Sequence, residues 1–169
     1  MLVFLDTEFT DFARPELISL ALVAEDGREF YAERTDYNRE SCSAFVIETV
    51  VPLLGRVPGA TCTAQALAGR LCAWFDELPE PAMVVFDFAL DWHLLAVAML
   101  GNEAHRPPSD FAQALHLDGY VITHPVFEKA LNAAFSDNWP PHHALADARA
   151  LMAGYRAWRP FMERIWRIQ

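Results

Sequence analysis

The sequence predicts an α/β fold built on a mixed sheet, and three observations predict it. Short runs at 2–5, 17–24 and 82–86, apolar but for Ser19, have the length and make-up of buried strands. A tight Glu25-Asp26-Gly27 turn joins the second run to a further strand pattern at 28–33, which makes that pair an antiparallel hairpin. Stretches with apolar residues at helical spacing lie between and after the strands, the order that places helices against a sheet.

Residues 2–5 (LVFL) run straight into Asp6, so the first strand ends on a carboxylate. The run at 17–24 (LISLALVA) and the strand at 28–33 (REFYAE) form the hairpin. Residues 45–54 place Phe45, Val46, Thr49, Val50 and Leu53 at helical spacing, with Pro52 weakening the end. Residues 55–59, with Gly at both ends and Pro58, read as a loop. Thr61 or Thr63 can cap a helix running to Leu78, with Leu67, Leu71, Trp74, Phe75 and Leu78 as its stripe. Pro79 and Pro81 stop it, and 82–86 (AMVVF) is the next buried strand. A helix over 91–100 is stopped by Gly101. Residues 111–121 are ambiguous and can hold a short strand. A helix follows at 125–135, and after Pro140-Pro141 the last helix runs from His143 until Pro160 ends or kinks it.

Composition excludes several classes. With 53% apolar and 12% aromatic residues the chain is too apolar for disorder, and its 7 Gly are too few for a fibrous repeat. Its 169 residues suit one domain, 1–169, with a sizeable core. Cys42, Cys62 and Cys72 form no C-x-x-C, which suggests a reducing compartment rather than a disulfide frame or zinc site. No apolar run approaches the roughly 18 residues of a membrane span. The start, MLVFLD, lacks the basic region of a signal peptide. A soluble, cytoplasmic protein is expected. The net charge of −10, with Lys129 the one lysine, disfavours a non-specific binder of nucleic acid. It suits ordinary solubility, and equally a site where carboxylates hold divalent metals that meet phosphate.

Three blocks can carry chemistry. In Asp6-Thr7-Glu8 the acids are two apart, so an extended chain turns both the same way. Such carboxylates repel unless a cation sits between them, and oxygen ligands favour a hard ion such as Mg²⁺ or Mn²⁺. A solvated strand end would look the same. Asp87 and Asp91 follow the strand at 82–86, where α/β sheets bind ligands. Asp87 is nearer the strand end, and Asp91 falls in a first helical turn where an acid also suits the dipole. The third block, His142-His143-Ala144-Leu145-Ala146-Asp147, sets a histidine at a loop–helix junction and an acid one turn in. A cap, or pairing with Arg149 or Arg156, would explain that acid equally well.

In this order the blocks FLDTEFTDF, VVFDFALDWHLL and HHALADARA resemble the Exo I, II and III motifs of the DEDDh-type 3′→5′ exonucleases. Within that superfamily the chain looks most like the small bacterial exoribonuclease group related to oligoribonuclease and ribonuclease T. The resemblance implies a ribonuclease H-like fold, a mixed five-stranded sheet with helices on both faces. It implies that Asp6, Glu8, Asp91 and Asp147 bind two Mg²⁺ or Mn²⁺ ions and that His142 is the general base. Asp87 stands where the family has Asn, which leaves open whether it shares the metal role with Asp91. His143 falls at a frequent Asn position, Thr10 matches a Thr of the group, and Asp11 replaces its usual Gly. Phe9 and Phe12 flank the acids and can stack on bases, though Phe12 suits core packing better. Trp92 can line the site or pack on the sheet.

The implied reaction is hydrolysis at the 3′ end of RNA or single-stranded DNA, releasing nucleoside 5′-monophosphates. Without a basic track, short or single-stranded ends are the expected substrates. A non-catalytic nucleic-acid-binding subunit is the alternative. Related small exoribonucleases often dimerise, and the apolar content leaves room for a homodimer interface.

Overall fold

A computed structural model describes residues 1–100 and 112–166 of the chain. Its strands are β1 (Leu2–Phe9), β2 (Leu17–Ala24), β3 (Glu29–Arg34), β4 (Thr61–Cys62), β5 (Ala82–Phe86) and β6 (Ala112–His116). Its α-helices are α1 (Ala64–Asp76), α2 (Ala89–Leu100), α3 (Gly119–Ile122), α4 (Pro125–Ala134) and α5 (Ala144–Trp166). The strands form one sheet in the order β4-β3-β2-β1-β5-β6. β2 is antiparallel to both β1 and β3, whereas β5 runs parallel to β1 and to β6.

The sheet has six strands where five were expected. The extra one, β4, pairs only Thr61 and Cys62 with the end of β3. Two residues carry no alternation, so no sequence pattern announces them. The ambiguous stretch at 111–121 contains β6, which pairs along its whole length with β5; Phe111 lies outside the described residues. Ala-Gln-Ala-Leu-His has no β-branched residue and mostly exposed side chains, so its strand form comes from the ladder rather than from propensity.

Every residue of β2 is buried, the reason its sequence is apolar without alternation. Helices cover both faces. Val3, Leu5, Leu20, Leu22 and Val84 pack with Leu67 and Leu71 of α1 and Leu94, Leu95 and Met99 of α2. On the opposite face Phe4 and Val85 meet Phe127 of α4 and Leu151 of α5. Ala21, Val23 and Tyr31 meet Ala144, Leu145 and Ala148 of α5. Alternation along β1 therefore sends Phe4, Asp6 and Glu8 toward α5, and Leu5, Thr7 and Phe9 toward α1 and α2.

The helix expected at 45–54 is a π turn at Val46–Val50 followed by a 3₁₀ turn at Val51–Leu53. Pro52 has no N–H to give an α ladder, and its ring crowds the preceding turn. Val46 and Val50 still bury against Ile18, but Phe45, expected on the apolar face, is exposed together with Ile47.

Thr63, not Thr61, caps α1 by accepting from Ala66 N at 3.3 Å. α2 starts at Ala89, two residues ahead of the expected 91; the proposed stop, Gly101, lies outside the described residues. The short α3, capped by Asp118, has too few residues to show periodicity. α5 continues past Pro160 to Trp166 rather than ending there. Among the described residues no helix is long and apolar enough to cross a membrane.

Candidate active site

Asp6 and Glu8 leave the middle strand on the face that α5 covers. Asp147 lies in the first turn of α5. Each of the three offers a carboxylate oxygen within 4.8 Å of the others. Asp91 reaches the same cleft from the other helical layer. It is buried in the first turn of α2, where Oδ1 accepts the Thr7 hydroxyl at 2.6 Å. Thr7 sits between Asp6 and Glu8 in the strand, so β1 supplies two acids on one face and the tether for a third on the other.

The entry to α5 is built for its acid. Pro140-Pro141 lead into His142, whose φ is +68°. That left-handed conformation is uncommon outside glycine, and His is among the residues that adopt it more readily. Here it accompanies a hydrogen bond from the His143 backbone N–H to Asp147 Oδ2 at 3.0 Å.

The adjacent histidines have different environments. His142 is exposed and lines the cleft. His143 is buried, stacked on Tyr31 at 4.8 Å and edge-on to Trp139 at 5.1 Å. Burial, helped by Arg56 and Arg149, pushes the His143 imidazole down to about 4, so it is neutral at physiological pH.

The cleft has a volume of about 310 Å³, and Asp6, Glu8, Asp91, Asp147 and His142 all line it, as does Asp87. Burial is the largest cause that raises each of its carboxyls. Asp6 is held well above the usual carboxylate range by burial and then by Asp147, Asp91, Glu8 and Asp87. Glu8 is pushed up to about 8 by burial, Asp147 and Asp91. Asp91 rises to about 7 against the lowering hydrogen bond from Thr7. Asp147 rises to about 7 against the bonds from His142 and His143. Asp87 is raised by burial and lowered by its own backbone and by His116. Crowded, dehydrated carboxylates of this kind are a standing demand for positive charge, and an all-oxygen donor set fits a hard divalent ion.

The remaining predicted positions divide. Phe9 lines the cleft, but Thr10 does not: it is fully buried, and its hydroxyl accepts Glu16 N at 3.1 Å and donates to Arg14 O at 3.4 Å. Thr10 closes the loop after β1, just beyond a shift in the β1–β2 register at Glu8/Phe9. Trp92 is not among the cleft-lining residues; its ring stacks on Phe86 at 5.9 Å and packs into the core below α2. Phe12, expected in the core, is 76% exposed. It meets Phe9 edge-on at 5.1 Å and Phe88 at 6.2 Å, and all three rings line the cleft.

Phe88 and Thr7 were missed by sequence reasoning. Both lie inside the acidic blocks, which is the signal that could have found them, but nothing local separates Phe88 from a core aromatic. Three arginines of α5 are engaged away from the cleft. Arg149 pairs with both Glu29 oxygens and lies over Trp139, Arg156 donates to the Glu25 carbonyl, and Arg159 pairs with Glu163.

No protein-family model matches the chain. Over 55 residues it is 46% identical to a 3′-5′ exoribonuclease of Mycobacterium tuberculosis, found in two strains. That stretch is 32% of this chain and 33% of the relative, so the match spans a third of the relative's length. Two solved structures share the fold. S. pombe Pop2p, in its Mg²⁺- and Mn²⁺-bound form, superposes with a TM-score of 0.60 at 14% identity, covering 96% of this chain and 81% of that one. E. coli exonuclease I, in a zinc-bound complex with single-stranded DNA, gives 0.58 at 15% identity, covering 99% of this chain and 42% of that one. At these identities the likeness is one of fold: the ribonuclease H-like α/β architecture expected from the sequence is the one present.

Proposed function

We propose that this chain is a single-domain, DEDDh-type 3′→5′ exonuclease acting on RNA or single-stranded DNA and releasing nucleoside 5′-monophosphates. The observation that carries the reading is the convergence of Asp6, Glu8, Asp91, Asp147 and His142 on one cleft from three separate parts of the chain. The exoribonuclease match over part of the chain and the shared fold support it.

Asp6, Glu8, Asp91 and Asp147 are the residues that would hold two Mg²⁺ or Mn²⁺ ions. Such ions supply charge stabilisation at the attacking and leaving oxygens of a phosphodiester and bring substrate phosphate to an acidic surface. Thr7 orients Asp91, and the His143 backbone N–H orients Asp147, so both carboxylates are held before substrate arrives. His142 takes the proton of the attacking water on a ring nitrogen, a task suited to an exposed histidine at the cleft. His143 is ruled out for that role by its burial between Tyr31 and Trp139.

Phe9, Phe12 and Phe88 give the substrate an aromatic surface instead of a cationic track. Base stacking on such rings tolerates any sequence but requires bases free of a duplex, which favours single-stranded ends.

The test is a 5′-labelled single-stranded RNA and its DNA counterpart, incubated with Mn²⁺, Mg²⁺ or EDTA. The expected result is a metal-dependent ladder that shortens from the 3′ end and disappears in Asp6→Asn. Cleavage of neither strand in any metal would overturn the reading and favour a binding subunit on the same fold.

A further inference from the structure

We propose that Phe45 is a positioning residue that holds the His142 imidazole over the cleft. The inference rests on the reading of His142 as the proton acceptor.

His142 occupies an exposed, left-handed position at the loop–helix junction. An exposed imidazole samples several rotamers, and only some point its nitrogens into the cleft. The ring of Phe45 meets it edge-on, with centroids 5.1 Å apart and planes at 89°. That is the favoured geometry of an aromatic pair. Phe45 is 53% exposed, an unfavourable place for a large apolar ring. It is also absent from the residues that line the cleft, whereas His142 is present. A ring that contacts the histidine but not the cleft acts on substrate through the histidine.

The segment bearing Phe45 is fixed independently of that contact. Ser43 N donates to the Thr10 carbonyl at 2.9 Å, and Ser43 Oγ accepts from Val46 N at 3.2 Å. Val46 and Val50 pack on Ile18 of β2. The π turn at Val46–Val50 is the kind of helical irregularity that recurs at functional sites. Thr10, buried and bonded to its own loop, thus links the end of the acidic strand to the support of the histidine.

The experiment is a double-mutant cycle on the full chain with Mn²⁺ and single-stranded RNA, using Phe45→Ala, Phe45→Tyr, His142→Asn and the Phe45→Ala/His142→Asn pair. Asn tolerates the backbone at 142, so His142→Asn removes the base without a backbone penalty. The expected result is that Phe45→Ala lowers kcat about five- to tenfold with KM within twofold, the size of one aromatic contact. Phe45→Tyr restores turnover, and Phe45→Ala costs nothing further once His142 is Asn. NMR of the metal-free protein supplies a readout besides activity. The His142 imidazole signal moves in Phe45→Ala while the buried His143 signal stays in place, which also reports an intact fold. A rise in KM, an equal loss in the His142→Asn background, or an unmoved His142 signal would overturn the inference alone. Wild-type turnover by His142→Asn would overturn the underlying reading of His142, and the inference with it.

Discussion

The Thr7 hydroxyl donates to Asp91 Oδ1 at 2.6 Å, a buried bond that ties the middle of the acidic strand to the helix after β5. Glu8 and Asp6 leave the strand on the opposite face, so this one side chain connects the two helical layers at the candidate metal centre. Thr7→Val keeps the shape and removes the donor. Residues that orient a metal ligand this way are worth about 10- to 100-fold in affinity. Calorimetric titration with Mn²⁺ should therefore show a loss of about tenfold or more in Thr7→Val and near wild-type binding in Thr7→Ser. Unchanged binding in Thr7→Val would show that the hydroxyl does not orient Asp91.

The raised carboxyls set a pH dependence of stability. Glu8 titrates at about 8 when folded against an ordinary 4.5, and Asp91 and Asp147 at about 7 against 3.8. Between those values the folded, metal-free protein binds more protons than the unfolded chain, so stability falls as pH rises. His143 acts the other way, but only between about 4 and its ordinary 6.5. Thermal melts in EDTA above that range, at about pH 6.5 and 8.5, should give the lower Tm at the higher pH. The half-buried thiols of Cys42, Cys62 and Cys72, also raised by burial, add in the same direction near the upper end. Saturating Mn²⁺ should raise Tm most at the higher pH, where the carboxylates are ionised. Asp6→Asn should lessen both effects. A Tm that does not fall over this interval in EDTA would mean that the cluster ionises freely.

The Phe12 ring, exposed and edge-on to Phe9 and Phe88, is available for a base. Stacking one base on an aromatic ring is worth about 1–3 kcal/mol by alanine substitution. Phe12→Ala and Phe88→Ala should each raise KM for single-stranded RNA about tenfold, a loss of roughly 1.4 kcal/mol, with kcat little changed. Because Phe12 is 76% exposed, its removal should leave Tm nearly unchanged. Wild-type KM in both variants would remove the stacking role.

Gly154 lies in α5 beside Phe127 of α4. A Cβ there would sit 2.8 Å from Phe127 Cε1 and 2.9 Å from Cδ1 and Cζ. Phe127 is fully buried, so its ring has no room to withdraw. Ala favours a helix by roughly 1 kcal/mol over Gly, but overpacking a core costs about 1–3 kcal/mol. Gly154→Ala should therefore be net destabilising in urea denaturation, with part of the loss recovered by Phe127→Leu. Wild-type stability would show that the α4–α5 contact gives way easily.

Much of this arrangement was legible in the chain. The runs at 17–24 and 82–86 are strands because they are buried on both faces, and such segments must be apolar almost throughout. The Asp26-Gly27 turn set the hairpin, and Gly27 has the positive φ that such a turn needs. The spacing of Asp6 and Glu8 is a consequence of strand pleat, so their shared direction followed from sequence alone. Elements held by their neighbours were less legible. β4 and β6 exist through pairing with β3 and β5, and the π turn is what remains when Pro52 prevents a helix.

By itself, then, the sequence determined which acids and histidines could act and the layers that would carry them, because periodicity and turn chemistry are local. Only the tertiary structure decided between neighbours of the same type. It left His142 at the cleft and buried His143 against Tyr31 and Trp139; it turned Thr10 inward and packed Trp92 on Phe86; it brought Phe12 and Phe88 out to the cleft. The physical reason is that exposure and side-chain direction depend on what packs against a residue. For these residues the partners lie on strands and helices distant in the chain, where no local pattern records them.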